Sequence, residues 1–216
     1  MLPLAGRAEQ DARFWLDRMT TAVESLNYEG TFIFVHDEHL EAMHIVHGRG
    51  AHGVKERLMS LTGEAREIIR DKDVLTCIWP QSKIVVVEKS RSQHGIPATL
   101  PENVDHLSEY YKLLIVGDDR IAGIDCKRIE IKPKDKYRYG HRLCIANQSG
   151  MLLRSAMLDT DGKAIEQVMF TGFRRLKNLS EAQFTPRYAD KDYTWHRAEA
   201  KESSSNLSPD LAWQIG

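Results

Sequence analysis

Histidine and cysteine are the residues of this 216-residue chain best equipped for chemistry, and five of its nine histidines crowd into one stretch. His36, His39, His44, His47 and His52 include two pairs with two residues between them, a spacing that suits a metal site. Residues i and i+3 of a strand point to opposite faces, however, so neither pair converges locally. Ordinary surface and hairpin-tip histidines are the expectation, and no metal site is assigned. The chain has no HExxH, GxSxG, SxxK or P-loop motif, and its Ser, His and Asp residues fall into no recognisable arrangement. No catalytic residue and no cofactor are therefore assigned, and the expected protein is not an enzyme. A metal-dependent hydrolase built on the histidine cluster is the enzymatic alternative, which stoichiometric zinc in the purified protein would revive.

The cysteines say more. Cys77, Cys126 and Cys144 form no CxxC, so zinc ribbons and thioredoxin-like motifs do not apply. A hairpin of residues 124–146, centred on Asp135, sets Cys126 directly opposite Cys144 on a face shared with Arg128, Glu130 and Arg142. Two exposed thiols facing each other are a liability in a reducing cell. A Cys126–Cys144 disulfide in an oxidising compartment accounts for them; the alternative is two unpaired thiols after a register slip. Cys77, between Leu75 and Trp79, is expected to be a buried free thiol. The same hairpin is basic: Lys127, Arg128, Lys132, Lys134, Lys136, Arg138 and Arg142 outnumber Glu130 and Asp135, with Tyr137 and Tyr139 interleaved. Arg138 and Arg142 are candidates to grip phosphate head groups or an acidic peptide. The bland reading is a solvated hairpin with aromatic packing. A formal charge of −1 speaks against a general nucleic-acid binder.

These residues are positioned by one helix and eleven strand-like segments. Trp15, Met19, Ala22, Val23 and Leu26 recur at helical steps and predict a helix over 11–26. Strands are predicted at 31–36, 41–48, 55–60, 65–70, 74–79 and 83–88. A polar loop at 89–100 and a short helix over 101–111 follow. Further strands are predicted at 112–117, 124–132, 138–146, 151–158 and 164–173. Turn signals every eight to twelve residues, without helices between strands, predict an antiparallel sheet that curls into a half-open barrel. A four-residue loop at 37–40 pairs Phe32 with Ile45 and Phe34 with Met43 on one face, taken as concave. A one-residue slip would reverse that face. Val85, in the apolar run 84–87, and Trp79, beside Pro80 at a strand end, join the candidate wall. For Trp79, core packing is the alternative.

Apolar residues make up 42% of the chain, enough for a core, and no run of 18 apolar residues exists to form a transmembrane helix. Residues 1–9 are expected to be disordered, with any signal peptide already removed. One domain is expected over 10–190 and a linker over 191–210. Residues 211–216 are expected to begin a truncated C-terminal domain.

Several stretches, in order, resemble the RseB/MucB family of periplasmic sigma-E regulators. They are Tyr28-Glu-Gly-Thr-Phe-Ile33, Glu56-Arg57, Leu61-Thr-Gly-Glu-Ala-Arg-Glu-Ile-Ile-Arg70 and Tyr110-Tyr-Lys-Leu-Leu-Ile-Val-Gly117. Arg120-Ile-Ala-Gly123, Arg138-Tyr-Gly140, Ser149-Gly-Met-Leu-Leu-Arg-Ser155 and Phe170-Thr171 continue the series. The histidine-rich first hairpin and Ile124-Asp125 depart from it. The resemblance implies an α+β, mainly β fold similar to the lipoprotein carriers LolA and LolB, a half-open barrel wrapped around a few helices. It also implies a periplasmic protein that binds the periplasmic part of a transmembrane anti-sigma factor (RseA/MucA-like) and shields it from a first, DegS-like protease. Lipopolysaccharide or another lipid would release that partner, which requires negative coupling between the two ligands. On this reading Phe32, Phe34, Met43, Ile45, Trp79 and Val85 supply the lipid's apolar wall. A lipid or lipoprotein carrier without an anti-sigma partner is the alternative. A sheet with two free edges also invites a homodimer.

Overall fold

The structure is a computed structural model that describes residues 4–50, 53–89, 107–188 and 192–197, with the side chains of residues 4–9 set aside. Helix α1 (Leu4–Ser25) is followed by β1 (Tyr28–His36), β2 (His39–Gly50), β3 (Gly53–Ser60), β4 (Glu67–Asp71), β5 (Val74–Trp79) and β6 (Ile84–Lys89). A short α2 (Leu107–Tyr110) leads into β7 (Tyr111–Ile121), β8 (Ile124–Pro133), β9 (Gly140–Ala146), β10 (Leu152–Leu158) and β11 (Ala164–Arg175). A 3₁₀ turn at Glu181–Phe184 and β12 (Thr194–Arg197) complete the order. His52, the predicted loop beyond Lys89, residues 101–106 of the predicted helix and residues 211–216 lie outside the described residues.

All twelve strands form one sheet in the order β12-β6-β5-β4-β3-β2-β1-β11-β10-β9-β8-β7. It is open, with β12 and β7 at its edges. β7 and β11 stand four strands apart, about 19 Å on a flat sheet, yet they touch, so the sheet curls. Helix α1 packs against β2, β7 and β10, strands spread widely through the order, and therefore sits on the concave side. Its buried stripe is Ala12, Leu16, Met19 and Ala22, one residue round from the predicted centre, and Trp15 is only half-buried. Two glycines permit close approach. A Cβ on Gly30 would lie 2.6 Å from the Gly172 carbonyl oxygen, and one on Gly150 (φ +75°) would lie 2.9 Å from that of Arg18.

Residues paired across a sheet share a face. Ile129, Leu143, Ser155, Val168 and Phe34 form one such row, and Leu143 packs with Leu16 of α1, which fixes the row as inner. The first hairpin closes through Asp37-Glu38 alone, since Asp37 accepts a left-handed φ of +52°. Its register is Phe32 to Met43, Phe34 to Glu41 and Gly30 to Ile45, two residues from the expected pairing. A slip of two preserves parity, so Phe32, Phe34, Met43 and Ile45 remain together on the inner face.

Three other expectations are corrected. Residues 4–9, expected to be disordered, form the first turns of α1. Val85 pairs with Ile78 on the outer face, where Ile69, Val87, Tyr188 and Tyr193 pack around it. It is not part of the inner wall. Residues 194–197, within the expected linker, form β12, which runs parallel to β6 in register from Thr194 beside Ile84 to Arg197 beside Val87. The chain before β12 straps the outer face. Leu179 fills the space beside Gly48, Arg57 donates to the Gln183 carbonyl at 3.2 Å, and Glu67 accepts from the Arg187 amide at 2.9 Å while pairing with Arg57.

Candidate functional site

The candidate wall lies on β1 and β2, where alternation turns Tyr28, Phe32, Met43 and Ile45 inward. Phe32, Met43 and Ile45 are at most 1% exposed, while Phe34 and Trp79 are half-buried against the same cluster. The wall is already covered. Val23 comes from α1, Leu26 from the link that follows it, and Ile121, Ala122 and Ile124 from the β7–β8 turn. Tyr28, Phe170 and Phe173 add an aromatic group beside Phe32. Phe32 and Phe170 lie 5.7 Å apart and Tyr28 and Phe173 5.6 Å, in tilted geometries that favour ring–ring contact. None of these three rings is among the wall residues expected from the sequence. Alternation through Tyr28 and Phe32 was the signal available for the first of them.

The wall ends in a buried polar row on the same inner face. Register sets Tyr28 beside His47, His47 beside Glu56 and Glu56 beside Arg70. The rings of Tyr28 and His47 stack at 4.9 Å. His47 Nδ1 donates to the Leu26 carbonyl at 2.8 Å, because a carbonyl can only accept. Its Nε2 lies 3.7 Å from Glu56 Oε1, and Arg70 lies 3.1 Å from Glu56 Oε2. Burial, with the Glu56 charge nearby, raises the Tyr28 hydroxyl well above its ordinary range, so it remains a protonated donor. Among the described residues that hydroxyl has no hydrogen-bond partner. Helix end, first strand and carboxylate are thus tied together by His47.

Among the described residues the other histidines gather into no metal site, although the two-residue turn brings His36 and His39 together, against the expectation that neither pair converges. His36 and His39 face each other across the first turn, and His36 sits 3.7 Å from Glu166. His44 lies on the outer face beside Thr31, and burial lowers its pKa. Among the described residues no group of three His, Cys, Asp or Glu is gathered for a metal.

Cys126 and Cys144 are joined by a disulfide with Cα atoms 5.5 Å apart. They are diagonal rather than opposite. Cys126 pairs with Ala146 and Cys144 with Arg128, because the loop after Pro133 extends to Gly140 and moves the centre. Both sulfurs are buried, in a cluster containing Ile121, Ala146, Met151 and Leu153, which corrects the expectation of an exposed polar face. Cys77 is the buried free thiol, raised by burial to about 11.

Arg142 pairs with Glu130 on the outer face, and Arg138 lies in the loop before β9, ion-paired to Asp135 and stacked 4.2 Å from the Tyr110 ring centre. Register therefore separates Arg142 from the wall.

What remains is an apolar, closed inner wall bounded by a buried carboxylate. Residues 11–188 match the MucB/RseB N-terminal domain. The chain belongs to the MucB/RseB family. It is 30% identical, over 99% of its length, to the sigma-E factor regulatory protein RseB of Haemophilus influenzae, of which it covers 66%. It is 28% identical, over 74% of its length, to the sigma factor AlgU regulatory protein MucB of Pseudomonas aeruginosa, of which it covers 50%. The chain thus spans between half and two thirds of these relatives. MucB in the solved Pseudomonas aeruginosa MucA/MucB complex superposes with a TM-score of 0.67 at 25% identity, covering 82% of this chain and 61% of that one. The mainly β, open-sheet architecture expected from the strand rhythm is the one observed.

Proposed function

We propose that this chain is the sensing part of a periplasmic negative regulator of an envelope-stress sigma factor. It binds the periplasmic portion of a transmembrane anti-sigma factor, shields it from the first proteolytic cut, and lets it go when lipopolysaccharide or a related lipid occupies the inner wall. The observation that carries the reading is family membership over 11–188, together with a relative whose MucA complex superposes on this fold.

The covered state of the wall supports the coupling. Phe32, Met43 and Ile45 are covered by α1 and the β7–β8 turn, so acyl chains reach them only if that cover moves. A lipid that stabilises the opened form can release a partner that prefers the closed form, and the partner must weaken lipid binding by the same factor. Phe34 and Trp79, half-buried at the margin, are the first wall residues such a lipid would meet. Arg138 and Arg142 have no part in this inner site.

The test is a protection assay on the partner's periplasmic segment with its DegS-like protease. Adding the protein should slow cleavage, and adding lipopolysaccharide should restore it. Cleavage at an unchanged rate with the protein in excess would overturn the reading.

A further inference from the structure

The loop between β8 and β9 and the strand ends beside it divide their charged groups into two sets. One set is spent on holding the loop in place. Asp135 accepts from the Tyr137 amide at 2.9 Å and pairs with Arg138, whose guanidinium stacks on Tyr110. Lys134 donates through its amide to the Tyr110 carbonyl at 2.9 Å and through Nζ to that of Ser108 at 2.6 Å. The loop is fastened to α2 by its own residues.

The second set has no such use. Lys112, Lys132 and Lys136 are exposed and make no ion pair among the described residues. Lys112 and Lys132 are direct register partners, so their ammonium groups share one face, an arrangement that destabilises a strand pair. Glu130, the next acidic group on that face, pairs in register with Arg142. At the tip the Tyr137 ring is 94% exposed and Tyr139 is 52% exposed. In a chain of formal charge −1, this is a local positive field with aromatic rings at its rim.

We propose that this outer face docks on an anionic phospholipid bilayer. Lipid phosphates take the place between and beside Lys112, Lys132 and Lys136 that no carboxylate of the described residues fills. Tyr137 rests at head-group depth, where an amphipathic ring is at home. The fastened loop fixes the angle of approach, and a surface of opposite charge removes the cost of the Lys112–Lys132 pair. The inner wall takes no part, so the proposal stands independently of the regulator reading.

The test is co-sedimentation of the whole protein with vesicles of phosphatidylcholine, with and without phosphatidylglycerol, and with no partner peptide present. Binding should require phosphatidylglycerol and fall with salt. Lys132→Glu with Lys136→Glu should weaken it about tenfold or more. Tyr137→Ala should weaken it while leaving the salt dependence intact. A thermal melt confirms that each variant is folded. Equal binding to both vesicle types, no binding to either, or unaltered binding by the folded double variant would overturn the proposal. So would equally tight capture of a soluble acidic peptide, which would assign the face to a protein.

Discussion

The strands under α1 and the strands beyond β1 face the same concavity with different chemistry. In β8, β9 and β10 the inner residues are Ile129, Ile131, Leu143, Ile145 and Leu152, packed on Leu16 and Met19. In β2, β3 and β4 the inner row passes through His47, Glu56 and Arg70 before it reaches Ile45, Leu58 and Ile68. The first region is held by non-directional apolar burial and stapled by the Cys126–Cys144 bond. The second is held by contacts with definite partners: the Leu26 carbonyl on His47, and Arg70 on Glu56. Apolar packing loosens gradually, whereas a buried ion pair is either matched or costly. The contrast makes the first half a stapled platform and the second a half whose cohesion depends on matched polar partners.

That comparison can be broken at its strongest point. Arg70→Met leaves Glu56 buried without its guanidinium and should destabilise the fold by about 3–5 kcal/mol, measured by urea unfolding. Adding Glu56→Gln should recover much of the loss. A single variant as stable as the parent would show that the polar row does not hold that half together. In the platform half, Cys126→Ser should lower stability by roughly 3 kcal/mol under oxidising conditions. The denatured, unreduced parent should present one titratable thiol, Cys77, and finding three would refute the bond.

A finer distinction comes from His141, a buried titratable residue on the inner face of the platform. Burial lowers its pKa from 6.5 to about 4, and its Nδ1 has no hydrogen-bond partner among the described residues. The unfolded chain takes up this proton near 6.5 and the folded one only near 4. Its contribution is therefore fully present above 6.5 and is lost progressively as pH falls towards 4. The loss amounts to at most roughly 3 kcal/mol. Denaturation at a series of pH values should show this slope, and His141→Phe should flatten it.

The sequence shows the helix, eleven of the strands and the antiparallel order because alternation and turn residues are local signals. The wall on β1 and β2 survives a misplaced turn because the error is two residues, which leaves parity unchanged. Val85 fails for the opposite reason. In Ile84-Val85-Val86-Val87 both faces are apolar, and only the pairing with Ile78 tells which side is in. β12 escapes because Thr194–Arg197 is short, exposed and parallel to a strand more than a hundred residues earlier. The buried cysteines escape because their immediate neighbours Asp125, Lys127 and Leu143 show no common apolar face, while their cover gathers Ile121 with Ala146, Met151 and Leu153 from separate strands and turns. His47, Glu56 and Arg70 lie on three strands and look like surface polar residues until register aligns them.

The most direct measurement of the account is the dissociation constant of the partner's periplasmic peptide, titrated into the protein with and without saturating lipopolysaccharide. Negative coupling of ordinary size predicts weakening by about 5–150-fold, matched by an equal weakening of lipid binding at saturating peptide. Two ligands that bind together, each with an unchanged constant, would contradict it.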